Sequence, residues 1–422
     1  MHSVTNAIPT GTIASIPAKA HAHRALICAA LATSPSTILL SRTSKDIDAT
    51  MDSLRGLGAH VVYENKIVTV TPGPAPAKGN VVPHESGTTL RLLLPVAASI
   101  CNDVDVDAKG RLPDRPLEPM LGEMKAHGVT FSQDKPPFTM TGRLQGGNFS
   151  MVGDVSSQFF SGLLLAAPQI GLSTITSTTP LQSSDYVTLT TETMRDFGVE
   201  VEHTLPDTNI NEAFTVPFGA SFIGRDNYQI EGDWSNAAIW MVAAGMTGKP
   251  ITITGMNKNS VQADRRIMQV MIDAGCDVVW DGMNVTVTGR ASKPIHADLE
   301  QMPDMLPVMA ALACSISGES SFVKGARLRL KESDRLVAVA NLVRDLGGTV
   351  REEGDDLYII GSGILKGGHG DCVNDHRLVM AGTLMALISE NPITLQDSEA
   401  ITKSYPDFFE DWNLLGGNAQ PV

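Results

Sequence analysis

The sequence predicts an α/β protein made of two similar domains, and three observations carry that expectation. The chain has 422 residues, and at about 150 residues per domain this is enough for two large domains or three ordinary ones. One short pattern, an apolar-periodic helix that ends near a glycine and is followed by alternating residues, returns six times. Beyond the sixth glycine only six residues remain, while the N-terminal region holds a strand-like run.

The recurring pattern occupies 54–59, 124–129, 194–199, 271–276, 343–348 and 412–417. Its marker glycines, Gly58, Gly128, Gly198, Gly275, Gly347 and Gly416, are spaced 70, 70, 77, 72 and 69 residues apart. Each fits the residue after a helix end, where a positive φ is needed and a Cβ would clash. Hairpins are expected after several of them. Val61 and Val62 lead through Asn65 to Val68 and Val70, Val278 leads through Asp281-Gly282 to Val285, and Val350 leads through Gly354 to Leu357 and Ile359. Alternation around turn formers is the strand signal. Before the fifth glycine, Leu336, Val339, Leu342, Val343 and Leu346 recur at helical spacing,. A solenoid is the competing architecture, but its repeats run to about 20–50 residues. Six units of about 70 residues, grouped three and three, suit two domains better. The strand-like run 12–16 is available to complete the last repeat. The chain would then begin in the second domain, cross near Pro17 and return near Gly232, giving domains 18–230 and 1–17 plus 231–422 joined at a hinge.

Composition narrows the function. With 42% apolar and 18% charged residues the chain can bury large cores,. Its 32 Lys and Arg against 46 Asp and Glu give a net charge of −14, the wrong sign for a general nucleic-acid or anionic-membrane binder. Cys28, Cys101, Cys276, Cys314 and Cys372 are scattered with no CxxC pair, which argues for reduced thiols and a cytoplasmic protein. No apolar run reaches the length of a membrane span,. The apolar run 25–32 follows Lys19, His21, His23 and Arg24 and not a basic N-terminus, so a buried helix is expected there and not a signal peptide.

Basic and polar residues collect where the repeat helices should start, at positions whose free N–H groups favour anions. The groups are Lys19 to Arg24, Glu85 to Arg91, Arg111 to Pro116, Asp154 to Gln158, Lys331 to Arg335, Asn374 to Arg377 and Lys403 to Asp407. Each has an ordinary structural reading. Ser156-Ser157 and Asn374-Asp375 could be helix caps, and single arginines are mostly solvated surface. No GxGxxG or GxxxxGK[ST] marks a nucleotide site,. His21 and His23 have metal-like spacing for a strand but no companion ligand nearby in sequence,. Taken together, an acidic chain that puts cations at matching points of several repeats is arranged to hold multiply charged small anions. Arg offers a planar fork to phosphate and carboxylate, and Lys a compact charge able to move a proton. Asp304 and Glu332 add carboxylates as proton transfer requires, or else simply pair in a salt-bridge network.

These stretches resemble the 5-enolpyruvylshikimate-3-phosphate synthase family, 3-phosphoshikimate 1-carboxyvinyltransferases, nearly end to end and in order. The most specific pieces are 153–159, 330–336, 374–377 and 403–408, with Ser156-Ser157-Gln158, Lys331-Glu332, Asp375-His376-Arg377 and Lys403-Ser404-Tyr405-Pro406-Asp407 at their centres. The resemblance implies two domains of three βαβαββ units each, with the active site in the interdomain cleft. It implies transfer of the enolpyruvyl group of phosphoenolpyruvate to the 5-hydroxyl of shikimate 3-phosphate, with release of phosphate, by addition and elimination in aromatic amino acid biosynthesis. No metal or organic cofactor is implied, and the family expectation is a monomer. Lys19 would touch both substrates and Arg24 would clamp the shikimate carboxylate. Ser156, Ser157 and Ser183 would hold the 3-phosphate, and Gln158 would lie between the substrates. Gly87, Arg115, Arg335, Arg377 and Lys403 would surround phosphoenolpyruvate. Asp304 would be the base for the 5-hydroxyl with Lys331 beside it, and Glu332, with Lys19, would protonate the methylene carbon.

Four positions depart from the family pattern: Ala20 where a serine is usual, Arg327 where an asparagine is common, and Glu85-Ser86 where an Asn-Ala pair precedes the glycine. A related carboxyvinyltransferase family acting on UDP-N-acetylglucosamine commonly carries a cysteine ahead of the arginine matched by Arg115. The stretch 103–114 has none. A non-catalytic anion-binding protein would not need Asp304 and Glu332 beside Lys19 and Lys403.

Overall fold

Alternating burial builds the strands. In Asp103–Val106 the valines Val104 and Val106 are buried while the aspartates face outward, and in Ile67–Thr71 Val68 and Val70 point inward,. A computed structural model, which describes residues 1–207 and 211–422, arranges such strands into six four-stranded sheets among the described residues. All six follow one plan. In the second, Gly79–Val81 runs parallel to Asp103–Val106, and the hairpin partners Phe138–Thr141 and Thr130–Phe131 complete it antiparallel. The helix Gly87–Ile100 joins the parallel pair, as a parallel crossover requires. The chain thus has the mixed α/β repeats expected of it.

The six marker glycines all adopt positive φ, between +87° and +104°, just past helix ends. The expected hairpins are present as His60–Glu64 with Ile67–Thr71, Asp277–Asp281 with Asn284–Thr288, and Thr349–Glu353 with Asp356–Gly361.

The completion of the last repeat differs from expectation. Asn418–Pro421 forms a strand in the short tail and pairs antiparallel with His2–Thr5, which also pairs with Ile393–Gln396. The run at 12–16 contributes instead to the fourth sheet, where Gly11–Ala14 lies parallel to Ile251–Thr254. His2–Thr5 was unremarked in the sequence because only Val4 in it is apolar, yet Val4 is fully buried. Alternation identifies a strand but not its partner. A matching closure occurs in the first sheet, whose leading strand is Tyr228–Gln229, parallel to Ser36–Leu39.

The chain divides into two compact units, Pro17–Ile230 and Met1–Ile16 with Glu231–Val422. Each has its own apolar core. In the first, helices Gly87–Ile100 and Ser157–Ile170 are buried almost throughout, as are Trp234–Thr247 and Leu306–Ser315 in the second. All five cysteines are buried and unbonded to one another. No helix among the described residues is long and apolar enough to cross a membrane.

Candidate active site

In the unit Pro17–Ile230, the polar residues singled out above sit at helix starts. Lys19 opens the helix Lys19–Ala30, and its Nζ donates to Asp46 Oδ2 at 2.6 Å in the first turn of the helix Lys45–Gly56. Four residues on, His23 shares a hydrogen bond with Thr50 Oγ1 at 2.6 Å, because i and i+4 fall on one helix face. Thr50 continues to Thr89 at 2.7 Å, and Thr89 donates to Ser86 Oγ at 2.8 Å. Ser86 also caps the helix Gly87–Ile100 by accepting from Thr89 N–H, which gives the serine of the departing Glu85-Ser86 pair a clear structural role. His21 turns elsewhere, to Tyr228 Oη at 2.8 Å. The two histidines lie on a helix, not a strand, so their spacing separates them. Burial pushes the His21 imidazole down to about 4 and holds His23 well below its ordinary value, so both are neutral,.

Arg24 is 1% exposed. Its Nε donates to Thr190 Oγ1, Nη1 to the Ala20 carbonyl, and Nη2 to Ser161 Oγ and the Tyr186 carbonyl. Four of five guanidinium donors are therefore spent on three helices of its own unit. The expected anion clamp is, in this geometry, first a staple.

Gln158 follows the Ser156-Ser157 pair on the helix Ser157–Ile170. Ser156 caps that helix, its hydroxyl accepting from Gln158 N–H at 3.3 Å, so the capping reading holds for this serine. Gln158 Nε2 donates to Thr88 Oγ1 at 2.8 Å, and its Oε1 accepts from Arg91 Nη1 at 3.1 Å. These reaches depend on the close approach of two helices at Gly162, where a Cβ would lie 2.5 Å from the Arg91 carbonyl oxygen. Arg91 Nη2 also donates to the Pro116 carbonyl at 3.2 Å, which fixes the loop carrying Arg115. Arg115 itself packs its guanidinium against Gly87: a Cβ there would lie 2.6 Å from Nη1. Ser183 is buried with φ +54°, a conformation non-glycine residues adopt when their surroundings hold them there. Its loop is tied to the Ser156 loop by Gln182 N–H donating to the Gly153 carbonyl at 3.0 Å.

In the other unit, four carboxylates and three cations form one network. Asp304, on Pro303–Met305, pairs with Lys331 Nζ at 2.9 Å and with Arg335 Nη1 at 2.6 Å. Glu332 accepts from Arg335 Nη2 at 2.6 Å. Asp375, fully buried, accepts from Arg335 Nε at 2.8 Å and Nη2 at 3.2 Å, from Ser333 Oγ at 3.0 Å and from Arg377 N–H at 2.9 Å. It is both the cap of the helix His376–Met385 and the main counter-charge of Arg335. Asp264 belongs to the same charge system, since Asp304 and Arg377 both act on its carboxyl. Lys403 Nζ donates to the Asn374 carbonyl at 2.7 Å, and Arg377 Nη1 to the Ser235 carbonyl at 3.1 Å.

The electrostatics follow from these contacts. Burial alone would raise the Asp304 carboxyl, but Lys331, Arg335 and Arg377 outweigh it and hold it far below the usual carboxylate range,. Burial lowers the Lys331 ammonium, only partly offset by Asp304, with Arg335 and Arg327 pushing the same way as burial. Arg327, the departing residue, thus acts as a further cation beside Lys331. Burial works against the Arg335 guanidinium as well, yet Asp375, Glu332 and Asp304 raise it above its ordinary value.

Sequence reasoning named Lys19, Gln158, Asp304, Lys331, Glu332, Arg335, Arg377 and Lys403 but not their holders. Asp375 and Arg91 lay inside quoted motifs and could have been weighed as counter-charge and positioning group. Asp46 and Asp264 carry no sequence signal of their own.

The profile of the EPSP synthase (3-phosphoshikimate 1-carboxyvinyltransferase) family matches residues 7–412. The chain belongs to that family. A 3-phosphoshikimate 1-carboxyvinyltransferase of Clostridium kluyveri is 36% identical over 412 residues, covering 96% of this chain and 95% of that protein. One from Pyrococcus abyssi is 34% identical over 405 residues, covering 95% and 94%. An EPSP synthase structure from Acinetobacter baumannii superposes with a TM-score of 0.81 over 99% of both chains at 23% identity, which shows the shared fold. Membership in the EPSP synthase family makes this chain an enzyme, a transferase, and the two-domain βαβαββ architecture is that family's fold.

Proposed function

We propose that the enzyme transfers the enolpyruvyl group of phosphoenolpyruvate to the 5-hydroxyl of shikimate 3-phosphate, releasing phosphate, in aromatic amino acid biosynthesis. The Asp304–Lys331–Arg335–Glu332 network carries this reading, because it sets proton-moving groups among cations that would neutralise a phosphorylated acid. In the addition, the 5-oxygen bonds to the central carbon of phosphoenolpyruvate while a proton joins its methylene. In the elimination that methyl carbon returns a proton, the double bond re-forms and phosphate leaves.

The two sets of residues serve one pair of substrates in this proposal. Lys19, Arg24, Ser156, Ser157, Gln158, Ser183, Asp304 and Lys331 take shikimate 3-phosphate. Lys19, Gly87, Arg115, Gln158, Arg335, Arg377 and Lys403 take phosphoenolpyruvate. Among the described residues, Arg24 and Arg335 each keep a single uncommitted N–H, on Nη1, so each contributes at most one direct hydrogen bond and otherwise fixes its neighbours. Asp304 is a weak base while both cations hold it. Lys331, pushed down by burial, is the partner able to pass the proton on, and Glu332 with Lys19 delivers one to the methylene. The buried, unbridged cysteines favour a cytoplasmic setting,, and the enzyme is proposed to act as a monomer on small-molecule substrates alone.

A phosphate-release assay with shikimate 3-phosphate and phosphoenolpyruvate tests the proposal. Turnover with that pair is expected, and none with UDP-N-acetylglucosamine; the reverse pattern refutes it. Gly87→Ala is expected to raise KM for phosphoenolpyruvate about tenfold by displacing Arg115 and losing one charge-assisted hydrogen bond. An unchanged KM would mean Arg115 does not depend on that space. Ala20→Ser is expected to lower KM for shikimate 3-phosphate several-fold, on the scale of about 0.5–1.5 kcal/mol for one neutral hydrogen bond. A KM that stays put or rises would make the missing hydroxyl irrelevant.

A further inference from the structure

We infer that Asp264 is a positioning residue for Arg377, acting through Ser235. The inference rests on the proposal that Arg377 contacts phosphoenolpyruvate. Asp264 lies in the short helix Ala263–Arg266, Ser235 in the first turn of Trp234–Thr247, and Arg377 in the first turn of His376–Met385. All three are buried, at 1%, 8% and 5% exposure. The Ser235 hydroxyl donates to Asp264 Oδ2, and the Ser235 carbonyl accepts from Arg377 Nη1 at 3.1 Å.

That carbonyl is the one hydrogen-bond acceptor the Arg377 guanidinium has among the described residues. Among the described residues, Arg377 Nε is buried without a partner, and so is Asp264 Oδ1. A guanidinium held at one point can swing, and leaving buried polar atoms unpaired has a substantial free-energy cost. The arrangement makes sense if the substrate anion completes the Arg377 shell while Asp264 keeps the bridging serine in place. Gln262 anchors the Asp264 segment, its Nε2 donating to the Gly232 carbonyl at 2.9 Å and its Oε1 accepting from Trp234 N–H at 3.1 Å. The serine and the aspartate are therefore fixed to one another by backbone as well as by side chain.

The groups facing Asp264 are Asp233 at the cap of Trp234–Thr247, Asp304 on Pro303–Met305, Arg377 on His376–Met385 and the Ser235 hydroxyl. Burial and then Asp304 push its carboxyl up to about 6, against the pull of Arg377 and Ser235. Above that pH the carboxylate accepts from Ser235 and faces Arg377 as a counter-charge. Below it, the added proton removes the counter-charge and reverses one hydrogen-bonding role.

The test is kcat/KM for phosphoenolpyruvate, at saturating shikimate 3-phosphate, for wild type and D264N from about pH 5 to 8. The wild-type-to-variant ratio is expected to be about tenfold above pH 7, mostly in KM, and to fall toward one near pH 5. Titration of phosphoenolpyruvate itself cancels in the ratio. A ratio independent of pH overturns the inference. Ser235→Ala is the second arm: it should raise KM similarly, and S235A/D264N should be no worse than either single variant. Additive losses, or no KM change in S235A, overturn it as well, including where D264N does not fold. An active wild type with a flat ratio refutes only the role of Asp264, whereas a wild type without turnover refutes the proposed function and this inference with it.

Discussion

Asp304→Asn is expected to lower kcat by about 10²–10⁴-fold, the usual contribution of a positioned proton acceptor. The substitution keeps the shape and removes the negative charge that binds Lys331 at 2.9 Å and Arg335 at 2.6 Å. Arg335 retains Asp375 and Glu332, so the fold of this region should survive, and circular dichroism would check that it does. Two effects then act together. The group that accepts the 5-hydroxyl proton is gone, and Lys331, already disfavoured by burial, loses the partner that supports its charge. Steady-state kcat at saturation in both substrates is the deciding measurement. A loss smaller than about tenfold would assign Asp304 to charge balance and leave proton removal to another group.

Asp375→Ala is expected to destabilise the unit containing it by about 3–5 kcal/mol, the scale for removing one partner of a buried ion pair. Its carboxylate is fully buried and accepts two hydrogen bonds from Arg335, one from Ser333 and one from the Arg377 amide. Without it, Arg335 at 2% exposure keeps only Asp304 and Glu332, both more exposed than Asp375. The uncompensated part of that charge cannot be reached by water. Urea unfolding followed by tryptophan fluorescence would report on this unit, where Trp234, Trp240, Trp280 and Trp412 all reside. A shift under about 1 kcal/mol would show that the other two carboxylates suffice.

The repeats were legible because each leaves a local mark. A glycine forced to positive φ after a helix, followed by valines alternating around Asn65 or Gly282, needs no tertiary knowledge to read. Partner choice between strands is a tertiary matter. The run at 12–16 therefore looked like the completion of the last repeat, when His2–Thr5 fills that place. The cations of the site were legible in the same limited way. Their residue types and positions at helix starts showed an anion-binding chemistry, but not which of them would be spent on the protein itself. Arg24 and Arg335 read as substrate ligands, and each gives four N–H donors to the protein, three of them to neighbours that are distant in sequence. Asp375 read as a cap and is one, yet the same carboxylate neutralises Arg335 from 40 residues away. Nothing local to Asp264 announces the burial that raises its carboxyl, nor the Asp304 charge, distant in sequence, that adds to it.

The sheet that joins His2–Thr5 to both Ile393–Gln396 and Asn418–Pro421 bears on how the molecule is made. During translation the unit Pro17–Ile230, with an apolar core of its own, has emerged in full while much of the chain is still to be synthesised. His2–Thr5, made before that unit, has no partner until Ile393–Gln396 and Asn418–Pro421 have been synthesised. Nascent chains halted before residue 418 would thus carry one finished unit and one unfinished sheet, with an open edge for chaperones to shield.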